Sequence, residues 1–414
     1  LMFFRLAFKS LFNRKGSVVL TILAMSVSIF VLLGVEHIRT QTKESFNSTV
    51  SGVDLIVGAR TGSINLLLYS VFRIGSPTNN IDWDTYQAIV KNSKVAWAIP
   101  ISLGDSHKGY RVMGTSVDYF KHFSYGDKRQ LTFAEGKHFS ALFDVVLGSE
   151  VARRLGYSLD DKIVLGHGLG KTSFSLHDDR PFKITGILAT TGTPVDQTVH
   201  ISLQGIEAIH IDWQHGVKIL GSNVTTDQLE ALVLKPKTIT AFMLGLHSRM
   251  ATFGVQRDIN NYRQEPLSAI LPGVALSELW QMMGVLENTL RLISGLILIA
   301  ALLGLSAMML ASIREREDEI HLLRVIGAPP VFLFLLIEME ALLISFLSIL
   351  LAISGLYLSL LLSSDFLASN FSLHMGRSLL SKNNLLFILL IIGATMIAAV
   401  LPSFFAYKNA KLGR

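Results

Sequence analysis

Cysteine is absent from all 414 residues. That excludes a disulfide framework, cysteine-ligated zinc, iron–sulfur clusters and a thiol nucleophile. Charge is scarce as well: Asp, Glu, Lys and Arg make up 16% of the chain, where soluble globular proteins carry roughly 25%. Half of the residues are hydrophobic and the mean hydropathy is +0.46. This argues against a disordered chain and against a purely cytosolic enzyme. Two catalytic motifs are missing. Gly166-His-Gly-Leu-Gly170-Lys171-Thr172 imitates a phosphate loop, but that motif needs glycine at 165, where Leu165 stands. Gly148-Ser149-Glu150 lacks the second glycine of a hydrolase nucleophile elbow. The chain is therefore expected to be neither an ATPase nor a Ser/His/Asp hydrolase.

What is present is four long uncharged apolar runs. They cover Gly16–Val35, Leu292–Ile313, Ala341–Ser364 and Asn383–Tyr407, with the third apolar pattern starting earlier, at Val331. About 20 apolar residues, rising 1.5 Å each, cross a ~30 Å hydrocarbon core. Four runs of this length predict four membrane spans, set at 16–35, 286–313, 331–362 and 384–407. Basic residues set the orientation. Arg5, Lys9, Arg14 and Lys15 precede the first span, Arg314, Arg316 and Arg324 follow the second, and Lys408, Lys411 and Arg414 follow the fourth. The 363–383 loop holds only Arg377 and Lys382. Positive-inside bias then places the segment 1–15, the loop 314–330 and the tail 408–414 in the cytoplasm. Residues 36–285 lie outside. Their basic and acidic residues balance, so nothing supports a nucleic-acid partner.

The fold class expected is membrane α-helical, four spans, with a large α+β periplasmic domain between helices 1 and 2. Asp54–Val57, Val145–Leu147, Lys162–Leu165 and Phe182–Leu188 read as strands bounded by Gly, Asp and Pro. Ser149 is expected to cap a short helix, Glu150–Leu155, that Gly156 ends. Apolar residues at 276, 279, 280, 283 and 286 keep helical spacing into the second span, which predicts one helix running from domain to membrane. A β-rich subdomain is expected at about 130–225.

Two features of the outer domain have a plain reading and a sharper one. Leu67, Leu68 and Phe72 lie in an apolar stretch, 63–74, that reads first as a core helix and alternatively as a contact surface for a substrate or partner protein. Ten of the twelve histidines fall in this domain, with His200, His210 and His215 within sixteen residues. Imidazole suits zinc, but the spacing matches no compact zinc motif. Loop histidines without a metal are the simpler expectation.

The loop after the second span carries the strongest signal. Ile313, Ile320, Leu323 and Gly327 keep helical spacing, charges cover the other side, and Gly327 with Pro329 and Pro330 forms a stop. A short amphipathic helix follows, either lying on the membrane or docking in a partner's groove. Glu315, Arg316, Glu319, Ile320, Leu323, Arg324, Gly327 and Ala328 match the Glu-Arg-x-x-Glu-Ile-x-x-Leu-Arg-x-x-Gly-Ala signature of FtsX-like permeases. Leu11-Phe-Asn-Arg-Lys-Gly16 and the closing Leu401-Pro402-Ser-Phe-Phe-Ala406-Tyr-Lys-Asn-Ala410 resemble the same family, with Ser403 where alanine is usual.

The resemblance implies a non-catalytic subunit of an ABC complex in the bacterial inner membrane, with both termini cytoplasmic. Its partners would be a cytoplasmic ABC ATPase, a second permease copy or paralogue, the lipid bilayer, and in some members a periplasmic protein. ATP and Mg would be bound by the ATPase, expected on a separate chain because only fifteen residues precede the first span. The loop helix would dock on it, and its closure would be transmitted to the outer domain, acting on an amphipathic or lipidated cargo. A zinc-linked transport component and a non-transporting signalling scaffold are the alternatives. Glu338 and Glu340 lie about eight and ten residues into the third span. Glu340 before Ala341-Leu342 resembles a glutamate common in the family. Charge at that depth reads either as a proton relay or, more simply, as a structural partner for the loop arginines.

Overall fold

The computed structural model describes residues 11, 14–168, 180–211, 213–214, 217–218, 234–315, 322, 325, 327–371 and 382–412. In chain order the first elements are α1 (Lys15–Ser48), β1 (Leu55–Ala59), α2 (Ser63–Leu67, continued by a π-helical turn Leu68–Phe72) and α3 (Trp83–Val90). There follow β2 (Val95–His107), β3 (Tyr110–Thr115), α4 (Asp118–His122), β4 (Phe133–Gly136), β5 (Asp144–Leu147) and α5 (Ser149–Leu155). Next come β6 (Lys162–Ile163), β7 (Gly166–His167), β8 (Phe182–Leu188), β9 (Thr198–Ser202), α6 (Leu203–His210), β10 (Ala241–Leu246), α7 (Thr252–Asn260) and β11 (Leu267–Ile270). The last are α8 (Pro272–Glu315), α9 (Pro330–Phe371) and α10 (Lys382–Leu412). The chain divides into a helical unit, Leu1–Thr42, Met283–Phe366 and Met375–Arg414, and a second unit, Lys43–Met282 with Leu367–His374.

In the helical unit, α1, α8, α9 and α10 are, among the described residues, the four helices long and apolar enough to cross a membrane. Their inner faces mesh in two clusters. One joins Met25, Leu305, Met309, Ile344 and Ala399; the other joins Ile29, Leu298, Ile349 and Ile391. Outward residues such as Leu20, Leu362 and Ile397 stay exposed and apolar, as lipid contact requires. Between apolar helices, polar contacts add direction. Pro402 lies inside α10 and has no N–H, so the Ala398 carbonyl loses its helical donor. The Ser306 hydroxyl of α8 sits 2.8 Å from that oxygen, with Leu302 O at 3.1 Å as its alternative acceptor.

The second unit is built on one mixed sheet of eleven strands, ordered β11-β1-β10-β2-β3-β9-β5-β8-β4, with β7 on β2 and β6 on β8. β3–β9 and β5–β8 are parallel; the other pairs are antiparallel. Side chains alternate across it, as strand geometry dictates. Ile56, Ile99, Ile101, Met113, Val146 and Met243 face one core, with α2, α4 and the first turns of α8. Leu55, Val57, Phe242 and Leu244 face the other side against α3 and α7, and Val145, Leu147, Val199 and Ile201 do so against α5 and α6. The strands between 133 and 202 continue this sheet and have their own apolar cluster. The helix expected at 150–155 forms, but its cap is Gly148, with Ser149 already helical; Gly156 ends it at φ +68°. The helix entering the second span is unbroken from Pro272.

Candidate functional site

The loop signature surrounds the join between α8 and α9. Glu315 closes α8. Gly327 takes φ +97°, a conformation that glycine alone adopts without strain, and Pro330 opens α9 three residues later. Leu322 and Val325, one helical turn apart, are 62% and 74% exposed. Arg316, Glu319, Ile320, Leu323 and Arg324 lie outside the described residues.

The two acids of the third span point to different neighbours. Glu340 is buried and its carboxylate lies 3.5 Å from the Arg14 guanidinium. This partner comes from the segment before α1; of the loop arginines expected to pair with the acid, Arg316 and Arg324 lie outside the described residues. Glu338 is also buried. Its carboxyl faces the Ser403 hydroxyl of α10 without closing a hydrogen bond.

A second charge cluster, unforeseen from the sequence, joins α1 to α8. The Arg291 guanidinium lies 3.0 to 3.2 Å from both carboxylate oxygens of Glu36. Arg39 bonds the same Glu36 at 2.9 Å and reaches Glu287 at 2.6 Å. The Glu36 side chain is 4% exposed, so this carboxylate is taken out of solvent only because two guanidiniums replace its water. A signal was present. Glu36 is the first charge after the first uncharged run and Arg291 the last before the second.

In the sheet unit the grouped histidines separate. His200 alternates with Val199 and Ile201, so its ring faces the opposite side of the sheet and stacks on Tyr119 at 5.4 Å between centroids. It is fully buried. Burial, then the nearby Arg73 charge, pushes its pKa down to about 3, so the ring is neutral. His210 ends α6 on the other side. Its Nδ1 lies 2.8 Å from the Ile206 carbonyl, which can only accept, so Nδ1 carries a proton. Nε2 then faces Asp105 at 3.6 Å. A lone pair there would oppose a carboxylate, so the geometry favours the imidazolium. Burial alone would lower this pKa, but the Asp105 carboxylate beside the ring outweighs it and raises the value. The pair borders a cavity of about 530 Å³, with Ser102, Glu207, Lys237 and Thr238 in its wall. The alternative grouping of His200 with His210 around a metal does not form, because the sheet stands between them; His215 lies outside the described residues. Among the described residues, no three His, Asp or Glu side chains gather as a metal site.

The apolar stretch 63–74 is core, not surface. Leu67 is fully buried, Phe72 nearly so, and both pack against Ile99, Ile101 and Met113. Leu68 is half-buried against the same cluster. The contact surface expected as an alternative at Leu67 and Phe72 is therefore not there.

Comparison with known families finds two matches in the chain. The family model described as MacB-like periplasmic core domain matches residues 18–235, more than half of the chain, and FtsX-like permease C-terminal matches 291–410. The chain belongs to the MacB/FtsX-like ABC transporter permease family. Two solved structures of such domains are among its structural neighbours. The periplasmic region of MacB from Actinobacillus actinomycetemcomitans is 10% identical, with a TM-score of 0.34, over 56% of this chain and 94% of that one. The extracellular domain of the noncanonic ABC-type transporter YknZ from Gram-positive bacteria is 9% identical, with a TM-score of 0.31, over 53% and 98%. No curated protein sequence matches. In this MacB/FtsX-like permease, the loop 314–330 and Glu340 fall in the FtsX-like match, Arg14 precedes both matches, and Asp105 and His210 fall in the MacB-like match.

Proposed function

We propose that this permease works by mechanotransmission in the bacterial inner membrane. A separate cytoplasmic ATPase hydrolyses ATP, its motion enters through the 314–330 loop, and the inserted domain on the periplasmic side does the work. The observation that carries this reading is the unbroken α8, whose 44 residues run from Pro272, beside the sheet, to Glu315, at the loop signature. A helix of that length spans about 66 Å at 1.5 Å per residue, enough to cross a bilayer and extend well beyond it. The exposed Leu322 and Val325 supply apolar contact for a docking partner. The cargo class that suits a domain outside the membrane, joined to spans with apolar outer faces, is an amphipathic or lipidated periplasmic molecule. Two copies, or this chain with a paralogue, would pair around the ATPase. The loop is tested by purifying the tagged protein from native membranes in mild detergent. An ATPase subunit should accompany it at one to one and be lost on Leu323→Asp or Arg324→Glu. Retention of the ATPase by both folded variants would remove the loop from the mechanism.

A further inference from the structure

In the sheet unit, His107, Tyr157 and Lys108 form one chain of hydrogen bonds. His107 closes β2 and is buried. Its Nδ1 lies 2.6 Å from the Val164 carbonyl, which can only accept, so Nδ1 carries a proton. Burial holds its pKa below the ordinary value near 6.5, and the Lys108 charge adds to that against the Val164 bond. The ring is therefore neutral, and Nε2 holds a lone pair. The Tyr157 hydroxyl, 3.0 Å away, donates to it. The Lys108 ammonium donates to the same Tyr157 oxygen at 2.9 Å and lies 5.2 Å from the centre of its ring. Each partner is held in place. Lys108 and Gly109 form a two-residue turn between His107 and Tyr110 of β3, which face each other across the ladder. Both take positive φ, +48° and +90°, as tight hairpin turns of this twist require. Glycine does so freely; lysine does so under strain, and such strained residues cluster at functional sites. Tyr157 follows Gly156, and its N–H bonds the Ala152 carbonyl of α5. Lys108 is exposed and Tyr157 half-buried, so the pair opens to solvent.

We infer that Tyr157 is a nucleophilic phenol, with His107 as its base and Lys108 as the cation beside its oxygen, and that it accepts acyl groups from activated donors, thioesters or esters with a good leaving group. A hydroxyl bonded to a base that a third group orients is the arrangement that activates nucleophiles. In the step, the Tyr157 Oη attacks the acyl carbon. An O–C bond forms, and the bond to the leaving group breaks with its electron pair going to that group. The phenol proton passes to His107 Nε2 and on to the leaving group, so His107 ends neutral and Tyr157 ends as an aryl ester. The single ammonium favours acyl over phosphoryl transfer. It has N–H groups to spare for one carbonyl oxygen, whereas a phosphoryl donor brings several negative charges to one cation. The site lies wholly in the sheet unit and needs no ATPase.

The test treats the full chain in lipid nanodiscs with N-acetylimidazole and locates the acetyl groups by mass spectrometry. Tyr262 is the internal control. It is half-buried too, but its hydroxyl donates at 2.8 Å to the Gln264 amide oxygen, which cannot take the proton. At pH 7 Tyr157 should react at least about 100-fold faster than Tyr262. An unassisted phenol must first ionise, which gains about tenfold in rate per pH unit below pH 10. A phenol served by a neutral imidazole need not. The ratio of the two rates, in which the reagent's own pH dependence cancels, should therefore fall about tenfold per unit as pH rises from 7 to 9. His107→Gln should bring Tyr157 down to the rate of Tyr262, and Lys108→Met should slow it about tenfold. Equal rates at pH 7, a ratio that stays constant with pH, or full reactivity in folded His107→Gln would each overturn the inference. If His107→Gln does not fold, the wild-type ratio and the exposed Lys108 position decide. A slowed Lys108→Met then supports the inference and an unslowed one overturns it.

Discussion

His210 and Asp105 meet at 3.6 Å across the cavity wall of the inserted domain, one at the end of α6 and the other in the irregular stretch of β2 between Leu103 and Ser106. The imidazole is committed at Nδ1 to the Ile206 carbonyl, and it sits at a helix C-terminus, where positive charge is favoured. Its folded pKa is raised above the ordinary value near 6.5. The stabilisation is therefore fully present below about pH 6.5 and is lost as pH rises through the folded value. Thermal melting of the full chain should show His210→Gln costing on the order of 1 kcal/mol at pH 5.5 and clearly less at pH 8.5. Equal losses at the two pH values would contradict the charged pair.

His200 carries the opposite sign. Its folded pKa is depressed to about 3, first by burial and then by Arg73. Unfolding takes up a proton whenever pH lies between that value and about 6.5, so this residue makes stability fall as pH falls, by about 1.4 kcal/mol per pH unit at most. His200→Phe suits the aromatic neighbours Tyr119 and Phe120 and removes the titration. The variant should lose less melting temperature than wild type between pH 6.5 and 4.5. A parallel decline would show that the ring is not held neutral.

Leu67 fills the core beneath the sheet. Leu67→Ala should cost about 2–5 kcal/mol through the cavity left behind. Leu67→Glu should abolish the folded domain, read as loss of its cooperative melting. A folded Leu67→Glu domain with altered partner binding would restore the contact-surface reading that burial now excludes.

Ser306 and Pro402 should be coupled. Ser306→Ala leaves the Ala398 carbonyl without a donor in the apolar interior and should cost about 1 kcal/mol. Pro402→Ala returns a backbone N–H to that carbonyl, so the Ser306→Ala cost should nearly vanish in that background. An unchanged cost in a denaturation cycle would show that the hydroxyl acts elsewhere.

Local patterns carried far in this chain. Uncharged runs located the four spans, 3/4 spacing from 276 to 286 announced the continuous α8, and the strand at Phe182–Leu188 appears with the limits read from its Pro and Gly flanks. The cap of α5 falls one residue earlier than Ser149, because glycine serves as an N-cap at Gly148. Apolar periodicity at 63–74 could not separate core from surface, since both need the same residues. What stayed hidden is non-local. Glu36 and Arg291 are 255 positions apart, and Asp105 and His210 are 105 apart. The histidine group dissolved for the same reason. Spacing along the chain counts residues, whereas the pleat of β9 and the start of α6 decide which side of the sheet each ring takes.

The account turns on whether nucleotide reaches the inserted domain through the helices. The most direct measurement is hydrogen–deuterium exchange on the complex with its ATPase in lipid nanodiscs, with ATP and with ADP. The account predicts that ATP changes exchange at the 314–330 loop and also in residues 43–60 and 267–285, where α1 and α8 meet the sheet. A change confined to the loop, with those segments identical in both nucleotide states, would contradict mechanotransmission.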